Sequence, residues 1–239
     1  MGKVYLVGAG FGTPEYMTLK SVELLKNADC VLYDALIMPE CLDFCGESCE
    51  KIYVGKRKNN HHLNQDEINE ALFEASQKYE NVVRLKGGSP TVFGRGYEEA
   101  SYLKERGVES EFIPGVSSSI GVAEIFGIPL VDRDSNDSFR VITGHTTAHL
   151  KEILTPYNDR ENLLILMGAH KAKKIVSMLL EKKGYPSDLP IAFLCKGGFD
   201  GGEKIVMSLQ EAHDMGEEFF VALKEKTPLI IFVGKTAGF

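Results

Sequence analysis

The feature that most constrains this chain is an alternation. Short runs of branched and aromatic residues end in glycine-containing loops, and a segment with helical spacing follows most of them. Val4–Val7 reads as a strand running into Gly8-Ala-Gly-Phe-Gly12, and Leu19–Ala28 places Leu19, Val22, Leu25 and Ala28 on one helical face ahead of a strand at Cys30–Tyr33. After Tyr53 and Val54, Asn64 with Glu67 three residues on forms a capping box ahead of Ile68, Leu72 and Ala75. A strand at Val82–Leu85 follows. Next come a helix at Glu98–Arg106 stopped by Gly107, a strand at Val108–Ile113 stopped by Pro114, and a short apolar helix at Ser119–Phe126.

The polar run 132–138, DRDSNDS, interrupts this rhythm and reads as a linker. Beyond it, strands are expected at Arg140–Ile142, Leu163–Leu166, Ile191–Leu194, Lys204–Met207 and Leu229–Val233. Helices are expected at Lys173–Lys182 and Leu209–Lys224, the latter broken near Gly216. Strands and helices in this order imply an α/β protein whose mostly parallel or mixed sheets are covered on both faces. With 239 residues the chain divides naturally into two α/β domains, 1–133 and 134–239.

Charge narrows the functions available. Twenty-seven basic against 34 acidic side chains leave a net charge of -7, which excludes a general electrostatic grip on nucleic acid or anionic lipid. No apolar run reaches the ~18 residues of a membrane span. The opening MGKVYLVGAG lacks the pattern of a signal peptide, so a cytoplasmic location is expected. Five cysteines, an odd number, fit reduced thiols; Cys41, Cys45 and Cys49 read as small apolar groups, and no metal is assigned.

Four loops carry the chemistry: Gly8–Gly12, Gly87-Gly-Ser-Pro90, Pro114-Gly-Val-Ser-Ser-Ser119 and Gly197–Gly202. Each alone is as well explained by a tight turn. Together, mostly after strands, they suit a ligand that approaches backbone at the carboxyl ends of a sheet. Gly8-x-Gly10 with Asp34 at the end of the next strand also invites a dinucleotide-binding reading. The third glycine is replaced by Thr13, leaving a nicotinamide-dependent oxidoreductase as the runner-up from another class. Gly55-Lys-Arg-Lys58 concentrates cations on one loop, which points to an anionic ligand; Arg84, Lys86, Arg95 and Arg133 add cations near expected loops.

In sequence order, Val7-Gly-Ala-Gly-Phe-Gly-Thr-Pro-Glu15, Tyr33-Asp-Ala-Leu36, Gly55-Lys-Arg57, His61, Gln65-Asp-Glu-Ile-Asn69, Arg84-Leu-Lys-Gly-Gly-Ser-Pro90, Val92-Phe-Gly-Arg-Gly96, Pro114-Gly-Val-Ser117 and Thr143-Gly-His145 resemble the tetrapyrrole methylase family. Within it they resemble the branch that acts on uroporphyrinogen III. The resemblance implies a two-domain homodimer that binds S-adenosylmethionine in the interdomain cleft and methylates uroporphyrinogen III at C2 and C7. The products would be precorrin-2, on the way to sirohaem and cobalamin, and S-adenosylhomocysteine. A later corrinoid intermediate or another tetrapyrrole is the alternative acceptor.

By the same resemblance, Phe11, Gly87, Gly88, Ser89, Val92, Ser117, Ser118, Met167 and Gly197 hold the cofactor, Asp34 is the proton acceptor and Lys56 the proton donor. Arg57, Lys58, His61, Arg95 and Arg133 are the cations and imidazole expected to meet the anionic substrate. The chain departs from the family pattern at Phe11 (usually Pro), Thr13 and Ser89 (usually Asp), Asn59 (usually Gly) and Val131-Asp132 (usually Thr-His). The changes at Thr13 and Ser89 remove two carboxylates from the cofactor side.

Overall fold

The computed structural model describes residues 1–55, 64–145 and 149–239. Its strands form two five-stranded sheets, one in each of two units, Met1–Ser118 and Ser119–Phe239. The first sheet is built from β1 (Lys3–Gly8), β2 (Cys30–Tyr33), β3 (Glu50–Tyr53), β4 (Asn81–Lys86) and β5 (Ser110–Ile113). Its order is β3-β2-β4-β1-β5, and every pair is parallel. Parallel neighbours need crossovers, which α1 (Leu19–Lys26), α2 (Gln65–Lys78) and α3 (Gly96–Glu105) supply, except between β2 and β3, where a 3-10 segment at Pro39–Phe44 does so.

Side-chain alternation sorts β4 between two apolar layers. Val83 and Leu85 pack with Leu25 of α1, whereas Val82 packs with Leu72 of α2 and Leu103 of α3. Arg84 and Lys86 therefore share the face of Val82 and point under α2 and α3. The start of α2 matches the sequence reading in detail: the Asn64 side chain accepts from Glu67 N and the Glu67 carboxylate accepts from Asn64 N. Leu19 departs from it. That residue is 90% exposed on the first turn of α1, and the buried positions of the helix are Ser21 and Leu25.

The second unit holds β6 (Ser138–Thr143), β7 (Glu161–Leu166), β8 (Pro190–Cys195), β9 (Glu203–Ser208) and β10 (Leu229–Val233), in the order β6-β7-β10-β8-β9. Only β6 and β7 run parallel; β10 is antiparallel to both β7 and β8, and β8 to β9. The sheet is mixed because β8 turns directly into β9 through residues 196–202 with no helix between them. Its helices are α4 (Ser118–Ile125, whose first residue closes the first unit), α5 (Leu150–Ile153), α6 (Ala172–Lys182), α7 (Leu209–Asp214) and α8 (Glu217–Glu225). Gly216 is the N-cap of α8, so the expected helical break falls where it was read.

The chain divides between the units after Ser118, upstream of the 133/134 boundary read from the polar run. That run is tied into the second unit by side-chain amides. Asn136, 2% exposed, donates to Leu130 O and Ser138 O, and Asn162 donates to the same Leu130 carbonyl. Thr236 donates to Pro129 O. A polar segment reads as a linker in sequence, yet its amides satisfy backbone groups that would otherwise be buried without partners. Among the described residues no helix is long and apolar enough to cross a membrane.

Candidate functional site

Three of the glycine loops converge at the carboxyl ends of β1, β4 and β5. Ala9 N donates to Lys86 O at 2.8 Å and Gly10 N to Gly88 O at 3.2 Å, so the first two loops are stitched together by backbone. The third lies against both. A Cβ on Gly115 would sit 2.3 Å from Gly88 O and 2.7 Å from the Gly8 carbonyl carbon, and one on Gly8 would sit 2.5 Å from Gly115 N. No side chain fits at either position. Gly88, at φ +70°, is different: a Cβ there would meet nothing nearer than Ser118 N at 3.8 Å. Its left-handed backbone, open to glycine without strain, is thus left bare on the side facing Ser117 and Ser118.

Around this cradle Ser117 is buried, while Gly87, Ser89 and Ser118 are half-buried and Val92 is exposed. Phe11 is 6% exposed and stacks on Tyr16 with ring centroids 4.4 Å apart, so its phenyl anchors the first loop. A hydrogen bond from Thr13 holds the Glu15 carboxyl below the usual carboxylate range. The Ser21 hydroxyl donates to Gly8 O at 2.9 Å and ties α1 to the cradle.

Asp34 follows β2 at the same end of the sheet, with its side chain 31% exposed. Arg84 Nη2 donates to its Oδ1 at 2.6 Å. Arg84 and Lys86 are therefore not loop cations, as their sequence positions suggested, but almost fully buried. Both donate to Glu99 Oε1, from Arg84 Nε at 3.1 Å and from Lys86 Nζ at 2.7 Å. Burial first, and the neighbouring Arg84 charge second, push the Lys86 ammonium below the usual lysine range, with Glu99 opposing them. Arg95 grips Glu98, Nη2 donating to Oε2 at 2.6 Å, and the sequence reading gives Glu99 no role. The available signal was its spacing four residues before Leu103, which puts a carboxylate on the buried face of α3.

The expected basic residues Lys56, Arg57, Lys58 and His61 lie outside the described residues. In the second unit, Arg133 is exposed. Met167, in the turn after β7, has φ 56° and is 49% exposed, a left-handed backbone that an unbranched side chain rarely adopts without cause. Gly197, after β8, lies so near α4 that a Cβ would meet Val122 Cγ1 at 2.4 Å. A surface groove of about 460 Å³ beside α6, lined by Lys171, Lys174, Met178 and Phe220 among others, includes none of the expected site residues.

The fold disfavours the dinucleotide reading. β4 separates β1 from β2, which would be neighbours in a dinucleotide-binding sheet, and the first glycine loop runs into a 3-10 turn at Pro14–Tyr16 in place of a helix N-terminus. A cradle of bare backbone, serine hydroxyls and an exposed apolar rim fits a ligand that is part polar and part apolar, such as an adenosyl amino acid.

Comparison with known proteins gives a consistent picture. The family model for tetrapyrrole (corrin/porphyrin) methylases matches residues 3–213. A uroporphyrinogen-III C-methyltransferase of Methanocaldococcus jannaschii is 43% identical over 198 residues, 82% of this chain and 82% of that protein. One of Bacillus subtilis is 36% identical across 100% of this chain and 92% of its own length. The chain spans about half the length of the siroheme synthases it also matches, as with that of Gluconobacter oxydans at 38% identity and 49% of its length. Among solved structures, uroporphyrin-III C-methyl transferase from Thermus thermophilus complexed with S-adenyl homocysteine superimposes with a TM-score of 0.80 at 32% identity, covering 99% of both chains.

Proposed function

From the chain's membership of the tetrapyrrole methylases, we propose that it transfers methyl groups from S-adenosylmethionine to C2 and C7 of uroporphyrinogen III, giving precorrin-2 for sirohaem and cobalamin formation. The observation that carries this reading is the side-chain-free junction of Gly8, Gly88 and Gly115 at the strand ends, in the unit that also presents Asp34. Gly87, Gly88, Ser89, Ser117 and Ser118 would hold the methyl donor through backbone and hydroxyl groups, with Phe11 and Val92 beside them; Met167 and Gly197 are the remaining donor-holding residues of this reading.

The bound donor supplies an electrophilic methyl on a sulfonium. Attack by an electron-rich pyrrole carbon forms the carbon–carbon bond, breaks the sulfur–carbon bond and leaves a cationic ring that must lose a proton. The protein's task is to hold the reacting atoms close, exclude water and take that proton. Asp34 is suited to the last step because its carboxylate is partly exposed while one oxygen is pinned by Arg84. Lys56 serves as proton donor, and Arg57, Lys58, His61, Arg95 and Arg133 meet the substrate's carboxylates. The same reading includes a homodimer in the cytoplasm.

Incubation with isotopically labelled S-adenosylmethionine and uroporphyrinogen III, followed by mass analysis, should show two methyls added. No label transferred to that acceptor, with transfer to a later corrinoid, would shift the reading to the second substrate. Saturable NAD(H) binding without any heat from S-adenosylmethionine would overturn it. Asp34→Asn should slow transfer by ~10²- to 10⁴-fold, the range for losing a general acid or base, with S-adenosylhomocysteine affinity unchanged.

A further inference from the structure

Glu99 is fully buried, and its Oε1 collects three donors from two other elements: Arg84 Nε at 3.1 Å, Lys86 Nζ at 2.7 Å and Gln65 Nε2 at 3.4 Å. Gln65, the first residue of α2, is itself steadied by Asn69 Oδ1 at 2.9 Å. The other oxygen, Oε2, is buried and makes no hydrogen bond. Two cations and two carboxylates, counting Asp34, thus meet beneath α2 and α3. Such a cluster is a poor source of stability, because desolvation offsets most of the attraction and one lone pair set is left unused. Its geometry has a direction, however. A guanidinium is a rigid plane, so fixing Nε on Glu99 and Nη1 on Leu32 O and Leu85 O leaves Nη2 only one line of approach, and that line ends 2.6 Å from Asp34 Oδ1.

We infer that Glu99 is a positioning residue for the reaction: through Arg84 it sets the orientation of the Asp34 carboxylate. The inference rests on Asp34 being the proton acceptor. Glu99 touches neither substrate nor donor, and its effect is carried by the fork of Arg84. Lys86 donates to the same carboxylate oxygen, so Glu99 anchors both cations of β4 at once.

The test measures kcat, the Michaelis constant for each substrate, S-adenosylhomocysteine affinity by calorimetry and the melting temperature. It compares Glu99→Gln, Glu99→Asp, Arg84→Lys, Asp34→Asn and the double variant Glu99→Gln/Asp34→Asn. Glu99→Gln should lower kcat by roughly 10- to 100-fold, the scale of a group displaced by up to ~1 Å, while the Michaelis constant for the donor and the affinity for S-adenosylhomocysteine stay within about 2-fold. Arg84→Lys keeps the charge and loses the fork, so it should show the same selective loss, and Glu99→Asp should recover part of the rate. In the Asp34→Asn background the Glu99→Gln change should cost nothing further in kcat.

A role in stability alone would lower the melting temperature of Glu99→Gln and leave kcat near wild type, which overturns the inference. Equal losses from Glu99→Gln with and without Asp34 also overturn it. Should Glu99→Gln not fold, wild-type kcat in both Glu99→Asp and Arg84→Lys has the same force. Wild-type turnover in Asp34→Asn removes the acceptor reading itself; a slow Asp34→Asn beside Glu99 and Arg84 variants of normal kcat removes only the positioning role.

Discussion

Replacing Gly115 by alanine probes the cradle with a single methyl. The added Cβ would stand 2.3 Å from Gly88 O, 2.7 Å from the Gly8 carbonyl carbon and 2.8 Å from Gly8 Cα, all backbone atoms that no rotamer change can move. Carbon–oxygen contacts normally lie at ~3.3 Å or beyond, so the loops must separate by about 1 Å. Overpacking of this kind costs roughly 1–3 kcal/mol, which for a chain of this size is a fall of ~2–12 °C in melting temperature. Because the strain is relieved by spreading the Gly8 and Gly88 loops, S-adenosylhomocysteine binding should weaken and methyl transfer slow by up to ~10²-fold. Gly46→Ala is the matched control. Its Cβ would meet only Lys26 O at 3.9 Å, so it should be neutral or more stable by ~0.4–1 kcal/mol with activity unchanged. Differential scanning calorimetry and ligand titration on both variants decide the matter. A Gly115→Ala protein with wild-type melting temperature and ligand affinity would refute the claim that the three loops close on one another without room for a side chain.

Further outcomes are expected elsewhere. Ser89→Asp restores the acid of the family pattern; if Ser89 faces the ligand's ammonium, S-adenosylmethionine and S-adenosylhomocysteine should both bind tighter by about 1 kcal/mol, or ~5-fold, and titration with a gain confined to one of them would show a different pose. Asn64→Ala removes half of a capping box that satisfies two backbone donors at the head of α2 and should cost ~0.5–2 kcal/mol by denaturant melt. His213 has its titration raised by the Glu181 carboxylate on α6 and then by Asp214. Its contribution to stability is therefore fully present below about pH 6.5 and lost as pH rises through the raised value, a slope that should flatten in His213→Gln melts across pH 5–8.

Some of this was legible in the chain itself because the causes are local. The Asn64–Glu67 capping box, the strands at Cys30–Tyr33 and Leu229–Val233, and the helix interrupted at Gly216 each depend on residues within a few positions of one another, and each stands where the sequence placed it. The glycine loops were legible too, since glycine after a strand has few other uses. What the local pattern does not contain is the identity of distant neighbours. Leu19 has the right spacing to be buried and is exposed because, among the described residues, nothing packs over the first turn of α1. The run 132–138 has the composition of a linker and is held by Asn136 and Asn162 instead. Arg84 and Lys86 look like loop cations, and only the pairing of β4 with β1 and β2, under α2 and α3, brings Glu99 and Asp34 to them. Capping and periodicity act through bonds between near neighbours, so the sequence suffices for them; a buried ion cluster draws its partners from segments up to 65 residues apart (Asp34 to Glu99), and only the chain's closure into a sheet sets which charges meet.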